Sequence, residues 1–200
     1  IPRASVQAEL VRIANRHCQS IGKQPRMHEI TRAKVDPVFG RSVAFAYARI
    51  ESDPTNKYVR KYYRQLASEV RIQYHRLCMA GFEFEQCHDF QYATSEDMFI
   101  AFETKRVAVY SGGLDHPILT KFENWMLRAV HDAFGHCMHE HSFGPNGEES
   151  AFRCHAHMFS DDAIMALATE TRGQNSWVNF GPFSSLPPRD RPYAAQKACI

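Results

Sequence analysis

Histidines and carboxylates crowd one apolar stretch of the chain, the residues between Phe122 and Gly181. Six of the eleven histidines fall in it, at His131, His136, His139, His141, His155 and His157. Carboxylates are interleaved with them, at Glu123, Asp132, Glu140, Glu148, Glu149, Asp161, Asp162 and Glu170. Ionisable groups among apolar residues must be paired, neutralised or metal-bound. Imidazole and carboxylate together suit a divalent transition metal, so this stretch predicts a metal site in a helical domain.

The first histidine pair lies at the end of a predicted helix over residues 119–134. Leu127, Val130 and His131 share one face at helical spacing, so His131 should point inward. His136 follows five residues later, and Gly135 makes a distorted terminal turn feasible. Asp132 lies between the two histidines and could orient a neighbouring group.

Two further predicted helices aim ionisable side chains at the same interior. In the helix over residues 148–159, Glu148 and His155 share the inward face. In the next helix, Glu170 follows the apolar positions of DDAIMALATET and should lie on the buried stripe. The remaining histidines are expected at the surface or beside a substrate: His139, His141 and His157.

These placements predict a ligand set of two histidines and one carboxylate, His131, His136 and Glu170, which suits ferrous iron with open positions. His155 is a further candidate ligand, and Glu123, Glu148 and His155 together could complete a dinuclear carboxylate site. Glu148 and Asp132 are the candidate catalytic residues.

Each candidate also has a structural interpretation. The two histidines could be core or capping residues. Glu170 could form an ion pair with Arg172 or another arginine, and His155 could make a structural hydrogen bond with Glu148. Residues 169–175 could line a site or connect a helix end to the following loop.

The complete pattern predicts a mainly α fold with a small two-stranded β element. Residues 1–200 form one domain, with N-terminal helices and a small sheet (1–115), metal-site helices (116–180) and an extended tail (181–200). The expected elements are helices over 4–19, 41–51, 56–80 and 95–102, a strand within 81–92 and a strand over 106–110.

Composition narrows the classes of partner. The net charge of +2 gives no strong electrostatic case for nucleic acid, although residues 1–75 are rich in Arg and Lys. The six cysteines form no CxxC pair, which favours reduced thiols and a cytoplasmic protein. No apolar run reaches the roughly 18 residues of a membrane helix. The oligomeric state cannot be predicted.

The segment His131-Asp132-Ala133-Phe134-Gly135-His136 resembles the HDxxGH element of the aromatic amino acid hydroxylases. That resemblance implies that both histidines bind iron and that a glutamate some forty residues on, here Glu170, completes the set. Here Cys137-Met138 follows the second histidine where that family has a proline, and the spacing to Glu170 is shorter. Over most of its length the chain is also similar to uncharacterised proteins of bacteriophages and mobile elements, which implies no activity.

The sequence thus predicts a non-haem Fe(II)-dependent oxygenase or hydroxylase, mononuclear or dinuclear, acting on a small-molecule or nucleotide-like substrate. One alternative is a zinc- or manganese-dependent hydrolase with Glu148 or Glu149 as base. Another is a non-enzymatic phage structural or DNA-associated protein with a stabilising metal site.

Overall fold

The computed structural model describes residues 1–30, 32–113 and 115–200. Its α-helices are α1 (Arg3–Ser20), α2 (Pro37–Arg49), α3 (Lys57–Met79), α4 (Ser95–Thr104), α5 (Lys121–His131), α6 (Pro145–Ala156), α7 (Asp161–Ala168) and α8 (Gln174–Phe180). Its strands are β1 (Glu83–Cys87) and β2 (Arg106–Tyr110). Two π-helical turns, Asp132–His136 and Thr169–Gly173, and two 3-10 turns, Cys137–His139 and Pro188–Asp190, complete the list. The predicted mainly α fold with a small sheet is confirmed.

Most helices begin at a residue whose side chain caps the free backbone N–H groups of the first turn. Asp36 accepts from the Val38 N–H before α2, and Asn56 caps α3. Thr120 forms a reciprocal capping box with Glu123 at the start of α5. Ser160 caps α7. These short polar side chains fix the start of each helix locally, before tertiary packing contributes.

Helix α3 is the longest element and packs against α5 and α7. Its buried face carries large apolar side chains such as Tyr63, Leu66 and Leu77, each fully buried. These residues belong to one apolar core that also takes in side chains of α1, α4, α5, α6 and α7. Among the described residues, no helix is long and apolar enough to cross a membrane.

The two strands form a parallel pair joined through α4. Glu83 pairs with Arg106, and the register continues to Cys87 opposite Tyr110. The carboxyl ends of both strands therefore lie side by side. The loops that leave this edge begin after Cys87 and Tyr110, and ligand sites commonly form at such an edge.

Most of residues 182–193 of the predicted surface tail are exposed, whereas the last residues of the chain pack against the core. Ala194, Ala198 and Cys199 are buried. The Lys197 ammonium donates to three backbone carbonyls at the end of α2, and the Lys197 carbonyl oxygen lies 2.9 Å from the Tyr63 hydroxyl oxygen of α3. The sequence of this segment shows no hydrophobic periodicity. The segment is held by hydrogen bonds from its backbone and from Lys197 and by the burial of three small side chains, and none of these requires a repeating apolar pattern.

Candidate metal centre

The two histidines of the predicted pair lie on one side of a distorted helical turn. α5 ends at His131, and Asp132–His136 continues it as a π-helical turn. In a regular α-helix, positions five apart differ by about 140° around the axis, since each residue turns by about 100°. A π turn has i to i+5 hydrogen bonds and brings such positions close to one face. The ring centroids of His131 and His136 are accordingly 5.1 Å apart, with the rings at 88°.

Gly135 makes room for the first of these rings. A Cβ atom built on Gly135 would lie 2.9 Å from both Cε1 and Nδ1 of His131 and 3.3 Å from the Cβ of Ala151. Carbon atoms in proteins do not approach so closely without displacement. A glycine at this position is therefore required by the close approach of the imidazole.

A closed loop after the π turn fixes the orientation of His136. Its Nδ1 lies 2.8 Å from the carbonyl oxygen of His141 and must donate to it, so a neutral His136 has its lone pair on Nε2. The His141 N–H donates back to the His136 carbonyl, and the His141 Nδ1 lies 2.8 Å from the Gly135 carbonyl. His139 and His141 are buried and outside the lining of the adjoining cavity, so the prediction that they lie at the surface or beside a substrate is wrong for both; His157 is half-buried.

A buried hydrogen-bond chain fixes the tautomer of His131. The Gln73 amide nitrogen faces the Met158 carbonyl at 3.3 Å, so its oxygen faces His155 Nε2 at 2.8 Å. His155 therefore donates from Nε2 and accepts at Nδ1, which lies 3.1 Å from His131 Nδ1. His131 donates from Nδ1, and its Nε2 carries a lone pair. That Nε2 is buried and has no hydrogen-bond partner among the described residues.

Glu148, at the start of α6, is the carboxylate that lies beside the two histidines. Its Oε2 is 3.4 Å from His136 Nε2, and Asn175 of α8 donates to the same oxygen at 2.8 Å. Potential ligand atoms of His131, His136 and Glu148 all lie within 4.8 Å of one another. Two ligand atoms that bind one metal ion at about 2.1 Å with a tetrahedral angle are about 3.4 Å apart, which matches the distance between Glu148 Oε2 and His136 Nε2. We call these three residues the metal triad, and their donor set fits a transition-metal ion.

Glu170, predicted as the third ligand, lies in the second π turn and is held by other partners. Its side chain is 2% exposed and accepts from the Tyr63 hydroxyl at 2.8 Å and from the Gln174 amide at 2.8 Å. His116 Nε2 is 3.2 Å away. Because His116 Nδ1 accepts two backbone N–H bonds, from Ile118 and Leu119, a neutral His116 donates to Glu170 from Nε2. The structure thus groups Glu148, and not Glu170, with the two histidines.

The other predicted carboxylate and imidazole partners have structural contacts. Glu123 belongs to the capping box of α5 and forms an ion pair with Arg71. The alternative pairing of Glu170 with Arg172 is not formed, because Arg172 binds Glu149 instead. The predicted hydrogen bond between His155 and Glu148 is also not formed, because His155 forms hydrogen bonds with Gln73 and His131 instead. Among the described residues, the metal triad is the one cluster of three such side chains with ligand geometry.

Burial and neighbouring charges give the histidines of the site different proton affinities. Burial lowers the pKa of His155 to about 3, and burial with neighbouring imidazoles lowers the pKa of His131 well below its usual value. Burial also acts to lower the pKa of His136, but Glu148 and Asp132 outweigh it and raise that pKa to about 9. Burial raises the pKa of Asp132 to about 7, and Glu148 adds to this effect. The site therefore holds a carboxyl group that can exchange a proton near neutral pH.

The metal triad opens onto a cavity of about 670 Å³ at the carboxyl edge of the two strands. Its wall also carries Asp132 and Glu170, so five of the six predicted site residues line the same space, while His155 lies behind His131. The opposite wall is aromatic, with Phe90, Tyr110 and Tyr193. A cavity of this size with a few convergent polar groups is typical of a small-molecule site.

Sequence reasoning did not anticipate the amide side chains that support the site, Gln73 and Asn175. The only sign in the sequence that Gln73 is buried is its position among the apolar residues on one face of α3. Comparison of the chain with protein-family profiles, curated proteins and solved structures found no match. The resemblance to the aromatic amino acid hydroxylases, and that to phage proteins, therefore stay predictions.

Proposed function

We propose that this protein is a non-haem iron-dependent oxygenase whose iron ligands are His131, His136 and Glu148. The observation that carries the proposal is the convergence of two imidazoles and one carboxylate at the wall of a 670 Å³ cavity. Two histidines and one carboxylate are the ligand set of many ferrous oxygenases, because three positions stay open for dioxygen and substrate. Bound iron would supply the activation of dioxygen.

Glu148 takes the place that was predicted for Glu170. The carboxylate of Glu148 already lies 3.4 Å from His136 Nε2, and Asn175 holds it there with one hydrogen bond. Glu170 would have to leave Tyr63 and Gln174 to reach the same position. Breaking those hydrogen bonds in a buried site would cost free energy, so Glu148 is favoured as the third ligand.

The chain's own residues bind, orient and exchange protons around the metal position. His155 and Gln73 keep the His131 proton on Nδ1, and the His141 carbonyl keeps the His136 proton on Nδ1. Both Nε2 atoms are thereby available as ligands. Asp132, whose pKa is about 7, can accept or donate a proton at the cavity wall.

A metal-dependent hydrolase is the second candidate function, and Asp132 is the observation that favours it. Asp132 is a carboxylate beside the metal position at the cavity wall, where it can act as general base toward water. Glu149, an alternative base suggested by the sequence, is held by Arg153 and Arg172 and does not suit this role. A purely stabilising metal is less well supported, since such a site is normally closed and this one adjoins a cavity.

Oxygen consumption by the protein loaded with different metals tests this proposal. The protein is loaded anaerobically with Fe(II), Zn(II) or Mn(II), mixed with oxygenated buffer, ascorbate and a panel of small aromatic compounds, and followed with an oxygen electrode. We expect uptake that requires Fe(II) and is abolished by His136→Ala. No uptake by the Fe(II) form, with hydrolysis of ester or phosphodiester test substrates by the Zn(II) or Mn(II) form, would replace the oxygenase by the hydrolase.

A further inference from the structure

We propose that the cavity beside the metal triad binds an uncharged planar heteroaromatic ring of the nucleobase type. The ring would stack on an aromatic platform formed by Phe90, Tyr110 and Tyr193. This inference rests on the proposed function, because it names the class of molecule on which the metal centre would act.

The three rings of the aromatic platform are nearly parallel. Phe90 and Tyr110 are stacked with centroids 4.4 Å apart and planes at 25°. Tyr193 lies 5.9 Å from Phe90 and 6.2 Å from Tyr110, with interplanar angles of 19° and 20°. Stacking is one of the favoured geometries of aromatic pairs, and the outer face of such a stack can take a further planar ring in the same geometry. A flat aromatic surface selects planar ligands.

Two rings of the platform are open to solvent. Phe90 and Tyr193 are each 64% exposed, although both line the cavity. They come from distant parts of the sequence, the loop after β1 and the C-terminal segment, and meet at the end of β2. An exposed apolar surface at a cavity mouth commonly marks a binding site.

The backbone beneath the platform is held firmly. The Arg128 guanidinium donates to the carbonyl oxygens of Tyr110, Gly112 and Gly113. Its carbon also lies 5.7 Å from the Tyr110 ring centroid. The position of Tyr110 is thus fixed, and three of the five N–H donors of Arg128 are engaged by backbone carbonyls.

A row of amide side chains forms a polar wall of the same cavity. Gln174 donates to Glu170 at 2.8 Å, Gln196 donates to Gln174 at 3.4 Å, and Asn124 donates to Gln196 at 3.3 Å. Because a carboxylate at the end of the row can only accept, the orientation of each amide is fixed. The Gln196 amide NH2 has a second N–H beyond the one used in this row, whereas the Gln174 side chain also hydrogen-bonds the Tyr47 hydroxyl. Side chains that both donate and accept are the partners that the edge of a nucleobase requires.

The charges of the cavity lining disfavour a phosphorylated ligand. Four carboxylates line it, those of Asp115, Asp132, Glu148 and Glu170. Arg128 is the one arginine or lysine in the described lining, and its guanidinium binds backbone carbonyls. In the metal-free protein a phosphate group would therefore meet an excess of carboxylates, and a neutral base or nucleoside is favoured over a nucleotide there.

Calorimetric titration of the purified chain with nucleosides, in buffer that contains a metal chelator, tests this inference. The probes are adenosine, guanosine, cytidine and uridine, their 5′-monophosphates, and 5,6-dihydrouridine, which keeps the hydrogen-bonding edge of uridine but loses the aromatic ring. Phe90→Ala and Tyr193→Ala remove parts of the platform. Phe45→Ala is the matched control, because Phe45 is also 64% exposed but lies on α2, outside the cavity lining.

We expect at least one nucleoside to bind at millimolar concentration or below, and more tightly than its monophosphate. Each platform substitution should weaken this binding by roughly 5- to 150-fold, as for loss of one base–aromatic stack, and Phe45→Ala should leave it unchanged. If uridine binds, dihydrouridine should bind more weakly. The inference is overturned if no nucleoside binds, if a monophosphate binds as tightly, or if the platform variants bind like the wild type.

Metal content of the same proteins, measured without the chelator, separates this inference from the proposed function. Nucleoside binding by a protein that takes up no metal would support the aromatic site and remove the oxygenase. Metal uptake that His131→Ala abolishes, without any nucleoside binding, would keep the metal centre and overturn the proposed ligand class.

Discussion

At the residue scale, the metal centre depends on which nitrogen of each imidazole carries the proton. Gln73 decides this for His131, although it lies two hydrogen bonds away from the candidate ligand atom. Its own orientation is imposed by the Met158 carbonyl, which can only accept. Partners of this kind commonly affect metal affinity nearly as much as the ligands do.

Replacing Gln73 with leucine should weaken metal binding about 10- to 100-fold while all three ligands remain. The leucine cannot accept the His155 Nε2–H bond, so the proton on His131 is no longer confined to Nδ1. Competitive titration with a chromophoric chelator measures the affinity, and circular dichroism confirms folding. Gln65→Leu is the control, since Gln65 is an exposed residue of the same helix. Equal affinities in the two variants would contradict the role of Gln73.

The choice between Glu148 and Glu170 shows what sequence can supply at this scale. Both glutamates lie on predicted inward faces, and the sequence identified both as site residues. What periodicity could not supply is the local geometry, because Glu170 was placed by assuming that α7 continues as a regular helix. Glu170 lies in the π turn Thr169–Gly173 and does point inward, but Tyr63 and Gln174 hold its carboxylate away from the two histidines.

At the scale of elements, the π turn after α5 is the feature that brings the histidine pair together. The sequence predicted a distorted turn at Gly135, and the distortion is found there. The π-helical type of this turn could not be predicted, because a helical turn with one additional residue requires no particular amino-acid composition. The bounds of β2 were predicted correctly. Arg106–Tyr110 is rich in β-branched residues and is followed by turn residues, and β2 has the same bounds.

Gly135→Ala should lower metal affinity by displacing the His131 ring, because the new methyl group would lie 2.9 Å from two of its atoms. We expect at least a tenfold loss in affinity, measured by calorimetry with Zn(II). Gly173→Ala is the matched control in the other π turn, where the methyl group would crowd the Tyr47 ring at 2.7 Å instead. That variant should be less stable yet bind metal normally, and the prediction fails if the two variants bind metal equally well.

At the scale of the whole molecule, buried polar groups connect the site to the packing of α1, α3 and α6. His17 of α1 is fully buried and donates to the Met158 carbonyl, the same acceptor that orients Gln73. The C-terminal segment is tied in through Tyr63 and Lys197. Such contacts join residues far apart in sequence, which is why neither the packed C-terminal segment nor the cavity lining could be predicted from periodicity.

His17 should make the folded protein less stable as the pH falls below about 6.5. Burial lowers the pKa of His17 in the folded state, whereas the unfolded value is about 6.5. Below pH 6.5 the unfolded chain therefore binds more protons, and the folded state loses up to about 1.4 kcal/mol per pH unit from this residue. Urea unfolding of the metal-free protein at pH 5 to 7.5 measures the slope. The free energy of unfolding of His17→Gln should depend less steeply on pH than that of the wild type. Equal slopes for the two proteins would contradict the attribution of this pH dependence to His17.

The most direct test of the metal centre is the metal content of protein purified with and without added Fe(II), compared between wild type, His131→Ala, Glu148→Gln and Glu170→Gln. Circular dichroism establishes that each variant is folded. We predict about one metal ion per chain in the wild type and in Glu170→Gln, and a loss of bound metal in the His131 and Glu148 variants. Retention by Glu148→Gln with loss in folded Glu170→Gln would restore Glu170 as the ligand, and no metal in any sample would contradict the metal centre itself.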